Sequence, residues 1–280
     1  MAADLSIKPV PVSIDVLMPV HVQADRLLLE RAIASVFAQE LPPGTLWVLI
    51  NGGDLADRQQ LAHELPALFP FPSQTVMRLE LLNQAGITPA LNWGIERSNA
   101  DWLARLDADD RMHPQRLYQM VAFLEHCWQV GSTQPDVVGS SVAILDPRGE
   151  HPTGQLLRRP CQDRLIRRYL CFGNPFIHPS VMLRRSLLLQ VGGYRSVRQA
   201  EDLDLWLRLA RIKGVHFSNL PEPLTFYTLA PGTLSHGRDS FLWSALCRLR
   251  HVTSPWWLVI YSPKIIADLL RYLLSCVSHG

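Results

Sequence analysis

The sequence predicts an α/β fold: a mostly parallel central sheet flanked by helices, followed by a C-terminal helical extension. Two patterns predict the sheet. Short apolar runs alternate with segments of helical spacing from Ser13 to Cys127, and strands alternating with helices at this pace imply a parallel sheet covered on both faces. Several runs also end on turn-forming polar residues, at the strand ends where such sheets bind ligands. The extension is read from the tail, which turns apolar with interspersed basic residues beyond Pro231.

In order, "SIDVLMPV" (13–20) is a strand closed by proline. From Asp25 to Gln39 apolar residues recur at helical spacing, with Asp25 as cap and "LPPG" (41–44) as stop. "TLWVLI" (45–50) is a strand ending in the glycine-rich turn "NGGD". A helix over 57–68 leads to a strand near 75–82. Thr88 and Pro89 start a short helix that carries Asn92 and ends near Ser98. "DWLARL" (101–106) is the fourth strand, and Pro114 opens a helix reaching Cys127. Three polar strand ends, Pro19-Val20-His21, Asn51-Gly52-Gly53 and Asp107–Asp110, thus share one edge.

The second half is less regular. "DVVGSSVAIL" (136–145) is a strand, "DPRGE" a turn and 160–171 a helix. "GNPFIHPSVMLRR" (173–185) is a proline-punctuated stretch entering a strand. The helix in "AEDLDLWLRLARIKG" has Leu205, Trp206 and Leu209 on its apolar face, and "VHFSNL" and "LTFYTL" are two further short strands.

The totals bound the function. The chain has 280 residues, 48% hydrophobic and 19% charged, with a net charge of +2 and no basic runs, so nucleic acid is not an expected partner. Five cysteines without metal-ligand spacing favour buried thiols in a reducing compartment. The start, "MAADLSIKPVPVSID", lacks the pattern of a signal peptide. No segment reaches the ~20 unbroken apolar residues of a membrane span. A cytoplasmic protein is expected.

Two acidic constellations carry the chemistry. "RLDADDRMHP" (105–114) sets Asp107, Asp109 and Asp110 side by side after a strand. Mutual repulsion there is relieved by a hard divalent cation, and Mg²⁺ or Mn²⁺ favours such oxygen ligands together with phosphate oxygens. A solvated acidic turn capping the next helix is the alternative. An EF-hand would need glycine at Met112 and glutamate at Tyr118, and no phosphate-binding GxxxxGK[ST] loop exists. In "AEDLDLW", Glu201 and Asp202 fall in the first turn of a helix, whose dipole favours ionised carboxylates. An ionised carboxylate facing a cleft can accept a proton from a hydroxyl; helix stabilisation alone is the other reading. His178 is equally readable as a loop or core histidine.

In their shared order "VLMPVH", "AIASVFAQ", "GITPALNWG", "LARLDADD", "DVVGS", "NPFIHPSVMLRRS", "GGYR" and "EDLDLWLRL" resemble glycosyltransferase family 2, inverting enzymes with a Rossmann-like GT-A fold, and most of all its bacterial surface-polysaccharide members. The resemblance spans about Ile14 to Tyr227. It implies a glycosyltransferase domain over 10–230, with a nucleotide-binding half (10–110) and an acceptor half (111–230), and a separate extension over 231–280.

By that match a nucleotide-sugar donor, most simply a UDP-sugar, lies across the strand ends with its diphosphate on Mn²⁺ or Mg²⁺. Asp109 would bind the metal, and Asp107 would lie near the metal and ribose. Asp202 would be the base activating an acceptor hydroxyl, paired with Glu201. Pro19, Val20, His21, Asn51, Gly86, Asn92 and Arg105 correspond to the donor site, and His178 to a diphosphate or acceptor contact. The acceptor would be a glycan or a polyprenyl-diphosphate-linked oligosaccharide at the inner membrane face.

Three departures stand out. Asn51 replaces the family's usual aspartate, which leaves the base preference open. Gln84 stands where relatives have asparagine, and Ala85 where many have a basic residue, so that Arg105 or another cation would substitute. A non-catalytic relative that binds without turnover is therefore a second reading, and a nucleotidyltransferase, which would need a basic glycine-rich loop after the first strand, a third. In the tail, Trp256 and Trp257 near basic residues suit a membrane interface. Pro263, Lys264, Asp268 and Arg271 interrupt a straight span, and a hairpin packed on the domain or on a second copy is the alternative.

Overall fold

The structure is a computed structural model that describes residues 12–69, 74–197, 199–229, 238–251 and 255–277, with the side chains of 238–239, 255–259 and 274–277 excepted. The N-terminal "MAADLSIKPVP" therefore lies outside the described residues, as do the side chains of Trp256, Trp257 and Cys276.

The first half alternates β1 (Ile14–His21), α1 (Arg26–Phe37), β2 (Thr45–Asn51), α2 (Leu55–Leu68), β3 (Val76–Leu81), α3 (Ile87–Arg97) and β4 (Trp102–Arg105). β5 (Arg111–Met112), α4 (Arg116–Gln129), β6 (Val137–Leu145), β7 (Pro152–Leu157) and α5 (Asp163–Tyr169) follow. A 3-10 turn at His178–Ser180 enters β8 (Met182–Arg184), then α6 (Arg185–Gln190), α7 (Glu201–Leu209) and β9 (Phe217–Thr228). The tail forms α8 (Arg238–Arg250) and α9 (Pro255–Val277).

Among the described residues the strands form one nine-stranded sheet in the order β3-β2-β1-β4-β8-β6-β9-β5, with β7 paired to β6. β3, β2, β1 and β4 run parallel, as the alternation predicts. The second half is mixed: β8 lies antiparallel between β4 and β6, whereas β6 and β9 are parallel. "VHFSNL" and "LTFYTL" are not two strands. They are one strand, β9, whose register slips against Ser140–Val142 on β6. Pro221 and Pro223 lie at that slip, where a missing N–H costs no ladder bond.

Both sheet faces are buried. Val16, Met18 and Val20 of β1, with Leu46, Val48 and Ile50 of β2, pack against α1, α2 and α4. The alternate residues Leu17, Trp47 and Leu49 face α3 and the helices of the second half. This two-residue alternation is why β1 and β2 read as continuous apolar runs. The tail is part of the same core, since Ala245, Cys247, Tyr261 and Ile265 pack with Trp206 and Leu205.

Caps hold two helices as expected or better. Asp25 accepts from the Leu28 N–H at 3.0 Å, and α2 begins two residues before the expected position with an Asp54/Asp57 capping box. Thr88 does not cap α3. The helix starts a residue earlier behind Gly86 (φ +113°), and Thr88 is buried inside its first turn.

Candidate active site

The acidic turn follows β4. Leu106 N–H still bonds the Leu17 carbonyl at 3.1 Å, and then the chain leaves the sheet. From the far strand β9, Thr228 donates its N–H to Asp110 Oδ1 (2.8 Å) and its hydroxyl to the Asp109 carbonyl (2.6 Å). That anchor buries Asp110 and leaves Asp107 and Asp109 partly exposed. Oxygens of the three carboxylates lie within 4.8 Å of one another. Burial, then the Asp107 charge, raises Asp109 to about 6. Burial and both neighbours push Asp110 well above the usual carboxylate range. Its Oδ2 has no hydrogen-bond partner among the described residues. An all-oxygen set whose own charges repel suits a hard divalent cation.

Arg105 is the nearest compensating charge. It is buried and ion-paired to Asp107, while its Nε and Nη1 have no hydrogen-bond partner among the described residues. Behind it the buried Arg116 donates to the carbonyls of Arg105, Pro179 and Val181 at 2.9–3.2 Å. Arg116 thus ties the end of β4 to the turn bearing His178, although burial and the Arg105 charge lower it to about 9.

The N-terminus of α7 lies within reach of the Arg105 charge. Asp202 Oδ1 accepts the Leu203 N–H at 2.7 Å, and Oδ2 accepts the Asn174 amide. The helix dipole was expected to keep both carboxylates ionised. The structure reverses that: burial, then the Asp202 charge, raises Glu201 to about 7. Burial raises Asp202 too, against the Leu203 and Asn174 hydrogen bonds. Desolvation and like-charge repulsion outweigh the dipole. The Asp107 charge reaches Glu201, and the Arg105 charge reaches both members of the pair, so the two acidic constellations lie close to one another.

His178 and Tyr194 close the cleft. His178 Nε2 lies 3.0 Å from the Tyr194 hydroxyl. Burial, then Arg105, holds His178 well below its ordinary range, so it is neutral. Tyr194 is fixed through its backbone: Asn92 donates to its carbonyl and accepts from its N–H, both at 2.8 Å. Arg208 of α7 holds the Val191 and Gly193 carbonyls at 3.0 and 2.7 Å. Gly193 has φ +68°, and a Cβ there would lie 2.3 Å from Asn92 Oδ1. Only glycine fits.

The expected donor residues divide. Pro19 and Val20 end β1, with the Val20 side chain in the core, so Val20 offers its backbone alone. His21 is exposed over Gly52 (φ +77°), where a Cβ would strike its ring at 2.2 Å. Asn51 is buried and engaged on both sides. Its amide N–H groups go to the Val20 and Leu49 carbonyls at 3.2 Å, and its oxygen accepts from Gly86 N–H at 3.0 Å. Asn92 braces the Tyr194 turn rather than the strand ends. Sequence reading missed Asn174, Tyr194, Arg116 and Arg208 as site residues; the paired glycines before Tyr194 were the visible trace of that turn.

Known proteins resemble this chain in sequence and in fold. The family model "Glycosyl transferase family 2" matches residues 15–192. The chain is 29% identical over 196 residues to the amylovoran biosynthesis glycosyltransferase AmsE of Erwinia amylovora, covering 70% of this chain and 68% of AmsE. It is 27% identical to the O-antigen biosynthesis glycosyltransferase WbnJ of Escherichia coli, covering 77% of this chain and 79% of WbnJ. Among solved structures, S. aureus TarS 1–349 in complex with UDP-GlcNAc superposes with TM-score 0.64 at 14% identity, over 93% of this chain and 72% of that one. The mannosyltransferase PcManGT of Pyrobaculum calidifontis, in complex with GDP-Man and Mn²⁺, gives 0.57 at 15% identity, over 98% and 80%. The fold is GT-A. With the family model spanning most of the sheet and the acidic turn after β4, the chain belongs to glycosyl transferase family 2 and is a glycosyltransferase.

Proposed function

We propose that this glycosyltransferase inverts the anomeric centre of a sugar as it moves it from a nucleoside-diphosphate donor, a UDP-sugar, to an acceptor hydroxyl. The acceptor is a glycan or a polyprenyl-diphosphate-linked oligosaccharide of cell-surface polysaccharide synthesis, met at the inner membrane face. The observation that carries the reading is the closeness of two acidic constellations, the three clustered carboxylates and the Glu201–Asp202 pair, with the Arg105 charge acting on both. The names of AmsE and WbnJ support the pathway class, and the UDP-GlcNAc complex of TarS supports the donor class.

Asp109 and Asp107 would hold Mn²⁺ or Mg²⁺, with Asp110 fixing the turn through Thr228. Such an ion supplies positive charge that stabilises a departing diphosphate. Arg105 brings a second positive charge from the protein, with two nitrogens that have no hydrogen-bond partner among the described residues. The basic residue missing at Ala85 is thereby made good. Asp202, oriented by Asn174, takes the proton of the acceptor hydroxyl as the oxygen attacks the sugar face opposite the leaving group. Glu201 shares the pair's proton and sets the pH at which Asp202 becomes free to act. Neutral His178, held by Tyr194, can donate or accept one hydrogen bond without adding charge.

The test separates chemistry from binding. Wild-type protein given UDP-sugars, Mn²⁺ and a lipid extract carrying acceptors releases UDP. Asp202→Asn loses at least about a hundredfold in that rate, the usual worth of a positioned base, while retaining donor affinity. Unchanged turnover in the variant, or loss of donor binding, would remove Asp202 from the role of base. A wild type that binds donor and never turns over would be the non-catalytic relative.

A further inference from the structure

Five arginines fall between Leu157 and Tyr169 against the single acid Asp163. Two of them are used inside the fold: Arg159 bonds the Asn174 carbonyl, and Arg167 bonds Asp163 and the carbonyls of Ala210 and Val215. The exposed Arg164 and Arg168 have no carboxylate partner among the described residues. On α5 and the turn continuing it, they share one face with Leu165 and Phe172, which are 47% and 54% exposed. Exposed Leu165 and Phe172 beside two arginines without a carboxylate partner among the described residues combine apolar and basic character on one segment.

The tail packs against the end of this segment. Arg248 of α8 bonds the Leu170 and Gly173 carbonyls and pairs with Asp268 of α9, so the helix pair abuts the end of α5. While Tyr261, Ile265 and Asp268 face inward, Ile266, Leu270 and Leu273 stand 54–57% exposed at i, i+4 and i+7. The next residue after Gly173 is Asn174, which holds Asp202. The segment that carries these exposed side chains thus runs directly into the residue that orients the proposed base.

We propose that α5 and the α8–α9 pair form one docking surface for an anionic lipid bilayer. Leu165, Phe172, Ile266 and Leu270 enter the headgroup layer, and Arg164 and Arg168 contact lipid phosphates. Charge complementarity decides the occupant. A second copy of this chain would bring the same uncompensated arginines face to face, whereas an anionic bilayer supplies the missing charge and an apolar layer together. Among the described residues no helix is long and apolar enough to cross a membrane, so the contact lies in the interface plane. This deepens the reading of a lipid-linked acceptor and rests on it for orientation, because docking here delivers the acceptor beside Asp202.

The experiment is flotation of the full chain with vesicles of phosphatidylcholine alone or with phosphatidylglycerol added. Binding only to the anionic vesicles is expected, weakening with added salt. Each surface arginine contributes about fivefold in affinity. Arg164→Glu with Arg168→Glu should thus lower it more than tenfold, and Leu165→Ser with Phe172→Ser should abolish it, with circular dichroism unchanged. The wild-type salt dependence stands as a test even if a variant misfolds. Wild type that ignores vesicles, binds neutral ones equally well, or is unaffected by the substitutions overturns the proposal. So does a sedimenting dimer that the substitutions split. Protein that binds UDP with Mn²⁺ but not vesicles loses this proposal alone.

Discussion

Glu201 and Asp202 sit under opposed influences, a helix N-terminus that favours charge and a buried cleft that disfavours it, and burial prevails. The sign for catalysis follows directly. A raised carboxylate keeps its proton to higher pH, and a base must be ionised to act, so kcat/KM should rise with pH through about 7, the value for Glu201. Glu201→Gln removes the like charge, and the midpoint should move to lower pH; a rate that does not change between pH 5.5 and 8.5 would contradict a shared proton. At this scale the sequence was informative about residue types. Asp107, Asp109, Glu201 and Asp202 announce themselves by clustering. Asn174, Arg116 and Tyr194 do not, because each acts through a partner far along the chain, and Asn51 is engaged by the backbone of Val20 and Gly86, which only the fold brings near.

Elements divide by how local their cause is. The parallel strands were legible because β1, β2 and β4 are apolar on both faces and separated by amphipathic helices. The two-residue β5 and the continuous β9 were not, since their pairing partners lie far away in sequence, and β7, although it pairs with the neighbouring β6, is exposed and lacks an apolar face. The turn between α6 and α7 is held by Asn92 and Arg208 on a glycine at positive φ. Asn92→Ala leaves a backbone N–H and a carbonyl unpaired and should cost about 1–3 kcal/mol in urea unfolding. It should also release Tyr194 from His178, seen as a changed histidine ring signal by NMR. A wild-type spectrum would mean that Asn92 does not brace the turn.

For the whole molecule, the sequence left open whether the tail packs on protein or meets a membrane, and the structure shows it doing the first with one face. Arg248 and Asp268 are both fully buried, and Arg248 reaches across to Leu170 and Gly173. Asp268→Ala leaves a buried cation with its main partner gone and should cost about 3–5 kcal/mol, read from the urea midpoint. Deleting 240–280 uncovers the apolar side of α7 around Trp206 and should give aggregated protein rather than a soluble catalytic domain. A stable, active truncation would show that the extension is an appendage after all. Lipid docking would then rest on α5 alone.

Calorimetric titration with UDP, dTDP, GDP and CMP, with and without Mn²⁺, tests the central claim most directly. One nucleoside diphosphate, UDP, should bind tightly only with the metal, and Asp109→Ala should lose that metal-dependent affinity. Absence of binding by every nucleotide, or equal affinity with and without Mn²⁺, would leave the acidic turn as an anchor for β9 through Thr228, not a cap of α4, and leave the site without a donor.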